Sequence, residues 1–331
     1  MILRRNRLGR SPVHVSELAF GAAGIGNLFT TVSDTQAEQA VAAAWECGIR
    51  YFDTAPHYGL GLSERRLGHL LRAMPRHEYV LSTKVGRLLE PAPGAGDDLV
   101  NGFAVPATHR RRWDFSAEGV RRSIQDSLTR LGLDRIDIVY LHDPDDHAEQ
   151  ALEQAYPELE RLRAQGVLGA IGVGMNRTGL LGRFVRDTDI DTILLAGRYT
   201  LLDQQGLTDL FPLAQRRGVS VVVGGVFNSG LLADPRPGAT FDYAPASAGM
   251  LSRALELKAA CEKYGVPLRA AALRFPFGHP AVAAVLVGVR NAAEVNDAAA
   301  LLHQQIPDLL WAELKDRGLL PADVPTLQEA G

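Results

Sequence analysis

Gly48-Ile49-Arg50-Tyr51-Phe52-Asp53-Thr54-Ala55-Pro56-His57-Tyr58-Gly59 sets the pattern of the chain. Gly48 closes a helix that opens at a capping box, Ser33-Asp34-Thr35-Gln36, and carries Ala37, Ala40, Val41, Ala44 and Trp45 at helical spacing. The strand Ile49 to Phe52 follows at once and delivers Asp53. Upstream, Leu18-Ala19-Phe20-Gly21 is a short apolar run ending in glycine; downstream, a helix from Glu64 to Leu71 leads to the β-rich Tyr79-Val80-Leu81-Ser82-Thr83, which delivers Lys84. The order is strand, helix, strand, helix, strand.

From Gly86 to Asp114 the alternation lapses into a Gly-, Pro- and Asp-rich stretch with a basic and aromatic cluster, His109-Arg110-Arg111-Arg112-Trp113. A loop of this length is either a binding loop or a solvated surface excursion. Alternation resumes with a helix through Val120, Ile124, Leu128 and Leu131, stopped by Gly132, and the strand Ile136-Asp137-Ile138-Val139-Tyr140-Leu141, which delivers His142. Pro157 suits the first turn of the next helix. Strands at Leu168 to Val173, Thr192 to Leu195, Val219 to Val223 and Val282 to Val287 follow, spaced by helices. Gly224 to Gly249 reads as a second long loop, Asn291-x-x-Glu294 opens a last helix, and Leu301 to Gly331 is a tail with a short amphipathic segment around Trp311 to Leu314.

Eight apolar strands alternating with helices imply a parallel sheet covered on its outer face, and eight units favour closure. The expectation is an α/β fold, a (β/α)₈ TIM barrel, as one domain over residues 1–331 with long loops at the C-terminal face. An open dinucleotide-binding sheet is disfavoured, because Gly21-Ala22-Ala23-Gly24-Ile25-Gly26 has the wrong spacing and Gly59-Leu60-Gly61 lacks a third glycine. A barrel carries its site at the C-terminal ends of its strands, where Asp53, Lys84 and His142 end the second, third and fourth. Tyr58 stands five residues past Asp53. A phenol titrates at about 10 in water and moves a proton at neutral pH only beside a cation that steadies its phenolate. Asp53, Lys84 and Tyr58 form such a relay, with His142 orienting the substrate oxygen.

Composition narrows the partners. Apolar residues at 46%, charged residues at 22% and a formal charge of −3 describe a chain that buries a large core and offers no cationic field for nucleic acid or anionic lipid. No apolar run of ~20 residues or signal peptide is visible. Cys47 and Cys261 lack Cys-x-x-Cys partners and read as free thiols, so a small-molecule enzyme of the cytoplasm is expected. The oligomeric state is not legible. His142-Asp143-Pro144-Asp145-Asp146-His147 contains metal-ligand types but reads more simply as a strand-to-helix turn, so no metal is expected. Neither Ser82 nor Ser229 lies in a Gly-x-Ser-x-Gly elbow.

Phe52-Asp53-Thr54-Ala55 through Tyr58-Gly59, Ser82-Thr83-Lys84-Val85-Gly86, Leu131-Gly132-Leu133-Asp134 with Ile138 through His142, and Ile171-Gly172-Val173 through Asn176 together resemble the aldo-keto reductases. Within that family, Gly59 to Glu64, His142 to His147, Ala196 to Leu202 and Phe227 to Leu232 are similar to the L-fucose and D-threo-aldose 1-dehydrogenase branch, with pyridoxal 4-dehydrogenases nearby. The resemblance implies NAD or NADP across the barrel mouth and oxidation of the C1 hydroxyl of an aldose to a lactone. Its alternatives are oxidation of pyridoxal, a general aldehyde or alcohol activity, and a regulatory barrel that binds cofactor without appreciable turnover. It also implies that Tyr58 is the general acid or base, and that Asn176 holds the carboxamide. Phe227, Asn228, Ser229 and Gly230 would meet the pyrophosphate, and Gly288, Arg290 and Glu294 the adenosine end, with Gly21 among the cofactor contacts and His57 and Trp113 shaping substrate choice. Three departures stand out: Gly174-Met175-Asn176 where many relatives carry Ser-Asn, Ala196 where many carry Gln, and Glu294 and Ala298 where NADP-dependent relatives often place Arg and Asn. A carboxylate repels a 2′-phosphate and accepts from a 2′-hydroxyl, which leans towards NAD.

Overall fold

Eight parallel strands close on themselves in the computed structural model, which describes residues 3–92, 94 and 96–327. They are β1 (Leu18–Gly21), β2 (Tyr51–Asp53), β3 (Val80–Val85), β4 (Ile138–His142), β5 (Ala170–Met175), β6 (Thr192–Ala196), β7 (Ser220–Gly224) and β8 (Val282–Gly288). Each pairs with its neighbour in chain order, and β8 pairs with β1 through Val285↔Leu18 to Gly288↔Gly21. This is the (β/α)₈ barrel that the alternation predicts, as a single domain. The ends of the 1–331 reading, and Pro93 and Ala95 in the long loop, lie outside the described residues.

The strands are apolar almost throughout because both of their faces are buried. Inward-facing Ala19, Tyr51, Ile138, Tyr140, Ala170, Leu194, Val222 and Leu286 fill the barrel, while the alternate residues pack against the helices. The bottom is plugged by an antiparallel pair, Arg5–Arg7 with His14–Ser16, which sends Leu8 and Val15 into that interior. Sequence reading begins the fold at Leu18 and misses this pair, because three-residue strands with polar outer faces give no apolar run.

Two further expectations are corrected. The stretch after Gly86 is not irregular: Arg87–Pro91 pairs with His109–Trp113, and Phe103 is buried beneath the loop between them. Its register is marked by charge rather than apolar alternation, with Glu90 opposite Arg110 and also bonded by Arg112 at 2.5 Å. Pro157 does stand in the first turn of the helix Tyr156–Ala164, and a helical stretch, Ala148–Gln150, runs into that helix through a π turn, Ala151–Ala155. A π turn already departs from the i→i−4 ladder, so a proline just after it costs less than in a regular helix. The tail holds a full helix, Asp308–Asp316, with Leu310, Trp311 and Leu314 buried. Ser33 and Gln36 do form the expected capping box, and Asn291 caps its helix by accepting from the Glu294 N–H at 2.9 Å.

Candidate active site

The loop after β2 holds Tyr58 in place through a brace. Ser63 donates to the Ala22 carbonyl at 2.7 Å, so the Thr54 hydroxyl donates to Ser63 at 2.8 Å. Glu64, fully buried at the start of helix Leu62–Leu71, accepts from Thr83 at 2.9 Å and from Arg130 at 2.5 Å. Gly59 permits the turn: its φ is +60°, and a Cβ there would stand 2.2 Å from the Gly26 carbonyl oxygen. The Gly59 to Glu64 motif thus positions Tyr58.

At the mouth, Lys84 Nζ donates to Asp53 Oδ2 at 2.6 Å, to the Thr54 carbonyl at 3.0 Å and to Tyr58 OH at 2.9 Å. An ammonium has three donors and no lone pair. All three are committed, so the phenol oxygen accepts from Lys84 and its own proton is free to point into the mouth. The His142 ring centroid lies 5.8 Å from that of Tyr58 and 5.7 Å from that of His57. Asp53 and Lys84 are 1% and 2% exposed, which makes this an ion pair out of water.

Burial works against the Lys84 ammonium, but Asp53 and Tyr58 outweigh it and hold the amine above its ordinary value. Burial pushes Asp53 up, opposed by Lys84 and Ser82. Burial also pushes the Tyr58 phenol up to about 12, against the pull of Lys84. Burial and the cations Arg87, Arg111 and Lys84 press His57 down to about 2 and His142 well below its usual range. Arg111 Nε donates to His57 Nδ1 at 2.5 Å, which fixes the ring as the Nε2–H tautomer, a neutral donor.

Both imidazoles are therefore neutral in the folded protein. The expected rate profile has no histidine inflection between about pH 5 and 8. Stability behaves differently: the unfolded chain takes up protons below about 6.5 that the folded rings refuse, so stability declines as pH falls through that value. Denaturant titrations across that range check this, and His57→Asn should flatten part of the slope.

Other predicted residues fall around the rim. Trp113, on the hairpin, is 41% exposed, with the Arg87 guanidinium 4.4 Å from its ring centroid. Gly21 ends β1 between Asp53 and Gly288 in register. Asn176 lies one residue past β5, exposed on an open recess with Arg177, Arg198 and Gln205. Alternation puts it on the inward parity of Gly174, whose Cβ position lies 3.9 Å from Lys84 Cε. Arg290 and Glu294 face each other, with Arg290 Nη2 donating to Glu294 at 2.6 Å. These last residues are not drawn into the Lys84 cluster; they line the recess and the β8 rim.

Sequence reading missed Arg87, Arg111, Asp98, Phe103, Asp143 and Tyr243. Arg87 is bonded to Asp143, the residue after His142, which takes a left-handed φ of 43°. Arg111 is locked by buried Asp98 at 2.6 Å, and Phe103 lies 5.2 Å from His57 between ring centroids. Tyr243, from the loop after β7, lies 5.6 Å from Phe29 between ring centroids. The signal for the first two was the charge complementarity of Glu90 with Arg110 and Arg112, which marks a hairpin and hence which arginines fold back.

A closed parallel barrel whose mouth gathers Asp, Lys, Tyr and His around a single phenolic proton defines a class of barrel oxidoreductases that move a proton at a substrate oxygen. Residues 17–317 match the Aldo/keto reductase family, and the chain belongs to that family. It is 46% identical to D-threo-aldose 1-dehydrogenase of Pseudomonas sp over 93% of this chain and 95% of that protein. It is 41% identical to pyridoxal 4-dehydrogenase of Microbacterium luteolum over 96% of this chain and 98% of that protein. An aldo-keto reductase from Bacillus halodurans, in its holo form, superposes with a TM-score of 0.76 at 27% identity, covering 99% of each chain.

Family membership implies a nicotinamide cofactor, and the rim has room and chemistry for one. A Cβ at Gly230 or Gly288 would meet nothing within 4 Å. The buried Asn228 Oδ1 has no hydrogen-bond partner, an acceptor suited to a ribose hydroxyl or an amide N–H. Among the described residues, no helix is long and apolar enough to cross a membrane.

Proposed function

We propose that the chain oxidises the C1 hydroxyl of an aldose of the L-fucose or D-threo type to the lactone. The observation that carries this reading is the commitment of all three Lys84 donors, which leaves the Tyr58 oxygen as the group that exchanges a proton with the mouth. When bound, the nicotinamide supplies the hydride acceptor. Tyr58 takes the hydroxyl proton in oxidation and returns it in reduction. Lys84, held by Asp53, stabilises the phenolate, and the neutral imidazole of His142 orients the substrate oxygen. The similarity to D-threo-aldose 1-dehydrogenase supports the sugar.

Pyridoxal is the rival substrate, favoured by the second relative and by the aromatic face of Trp113 at the rim. A panel of aldoses and pyridoxal followed by nicotinamide absorbance decides between them. Turnover of aldoses is expected, and inert aldoses beside reactive pyridoxal would refute the sugar.

Gly21, Asn176, Phe227 to Gly230, Gly288, Arg290 and Glu294 are proposed to hold the cofactor, with NAD preferred. Glu294 occupies Arg290 through the guanidinium and also accepts from the Arg290 backbone N–H at 2.8 Å, so a 2′-phosphate would have to displace a carboxylate. Glu294→Ala frees the guanidinium and should shift the NADP-to-NAD ratio of kcat/KM towards NADP by about tenfold, roughly one charge contact. The free thiols Cys47 and Cys261 suit a reducing compartment, and we read the enzyme as cytoplasmic.

A further inference from the structure

Directly beneath the four mouth residues lies a second layer that is unexpectedly polar. Strand alternation sets Tyr51 two residues below Asp53, Ser82 two below Lys84, and Tyr140 two below His142. All three are fully buried inside the barrel. Ser82 Oγ stands 2.7 Å from Asp53 Oδ1, Tyr51 OH stands 3.3 Å from Ser82 Oγ, and Tyr140 OH stands 3.0 Å from Tyr51 OH.

Counting protons places the Ser82 hydroxyl on the carboxylate. A carboxylate cannot donate, so the single Ser82 proton goes to Asp53 at 2.7 Å rather than to Tyr51 at 3.3 Å or to the Phe52 carbonyl at 3.5 Å, while either phenol can donate in the Tyr51–Tyr140 contact. One hydroxyl dipole points at the carboxylate, with two phenols behind it. Phenylalanine would fill the same space at positions 51 and 140 without the cost of burying a hydroxyl.

We propose that Ser82 is a positioning residue, with Tyr51 and Tyr140 as the polar backing of its hydroxyl: it holds Asp53 as a carboxylate and, through Lys84, sets the pH at which Tyr58 accepts the substrate's proton. This rests on Tyr58 being the proton carrier. The groups facing Tyr58 are Asp53 on β2, Lys84 on β3, His142 on β4, His57 on its own loop, Arg87 on the hairpin and Tyr243 from the loop after β7. Of these, Asp53 is the one that Ser82 holds. Two routes follow the loss of the Ser82 hydroxyl, and both raise the Tyr58 pKa. If Asp53 stays charged, its less-solvated charge weighs more on the phenolate. If Asp53 takes the Lys84 proton, the phenolate loses its ammonium.

The test is the pH profile of kcat/KM for substrate oxidation, at saturating nicotinamide, in Ser82→Ala, Ser82→Thr, Tyr51→Phe and Tyr140→Phe. Ser82→Ala should move the acid limb to higher pH by about half a unit or more, a loss of about threefold or more below the limb. The substrate KM should stay within about twofold, because no substrate contact is touched. Ser82→Thr should restore the profile, and Tyr51→Phe should shift it less than Ser82→Ala, with Tyr140→Phe shifting it least. A limb that stays in place while activity falls uniformly across pH would overturn the proposal, as would a shift to lower pH or a Tyr140→Phe shift as large as that of Ser82→Ala. Ser82→Cys keeps the side-chain shape with a weaker donor, so it carries the test, with a shift in the same direction, if Ser82→Ala folds poorly. The substrate used is whichever the panel shows to turn over, so failure of the sugar reading is registered separately from failure of the string.

Discussion

Tyr58→Phe should lower kcat for substrate oxidation by about 10²- to 10⁴-fold, the usual share of a positioned proton carrier, with little change in KM. The variant keeps the ring, and with it the contacts to Phe103 and His142 and the position of Lys84 Nζ, 4.6 Å from the ring centroid. What disappears is the one oxygen that accepts from Lys84 and exchanges a proton with the mouth. Steady-state kinetics, with cofactor affinity measured by fluorescence titration, separate lost chemistry from lost binding. Undiminished turnover would show that another group carries the proton. Because burial pushes the phenol up to about 12 before any cofactor charge acts on it, oxidation by the intact protein should also rise with pH. Reduction, which needs the protonated phenol, should fall once pH passes the titration point.

Asp53→Ala is expected to cost more than activity. It strands the Lys84 ammonium, 2% exposed, with a backbone carbonyl and a phenol as its remaining partners. Removing one member of a buried ion pair costs about 3–5 kcal/mol. Thermal or denaturant unfolding should show that loss, and turnover should fall with it as Lys84 sheds its proton. A second substitution separates the two effects: Asp53→Ala with Lys84→Met removes the unpaired charge, so stability should recover substantially while turnover does not. Recovery of both would mean that the pair serves the fold alone.

The barrel was legible because its parallel strands, buried on both faces, read as apolar runs, and because glycines such as Gly48, Gly132 and Gly218 stop the helices between them in the left-handed conformation. Asp53, Lys84 and His142 were legible for the same reason, since each sits at or beside the C-terminal end of such a run. Their mutual contact was not: it depends on barrel closure and on the Ser63 and Glu64 brace that sets the Tyr58 loop. The Arg87–Trp113 hairpin escaped because its pairing is specified by Glu90 against Arg110 and Arg112 rather than by alternation, and the residues it folds over the mouth escaped with it. The π turn before Pro157 follows from no residue pattern that we recognise. The polar layer of Tyr51, Ser82 and Tyr140 was in plain view at i−2 from the site residues, and takes on meaning only once the barrel sets the three strands side by side.

The most direct test of the account is the fate of a deuterium placed at C1 of the aldose. If the chain removes hydride from that carbon while Tyr58 takes the hydroxyl proton, the reduced nicotinamide gains one deuterium and the sugar appears as its lactone, both visible by mass spectrometry. Reduced cofactor without the label, or label retained in the sugar product, would contradict it.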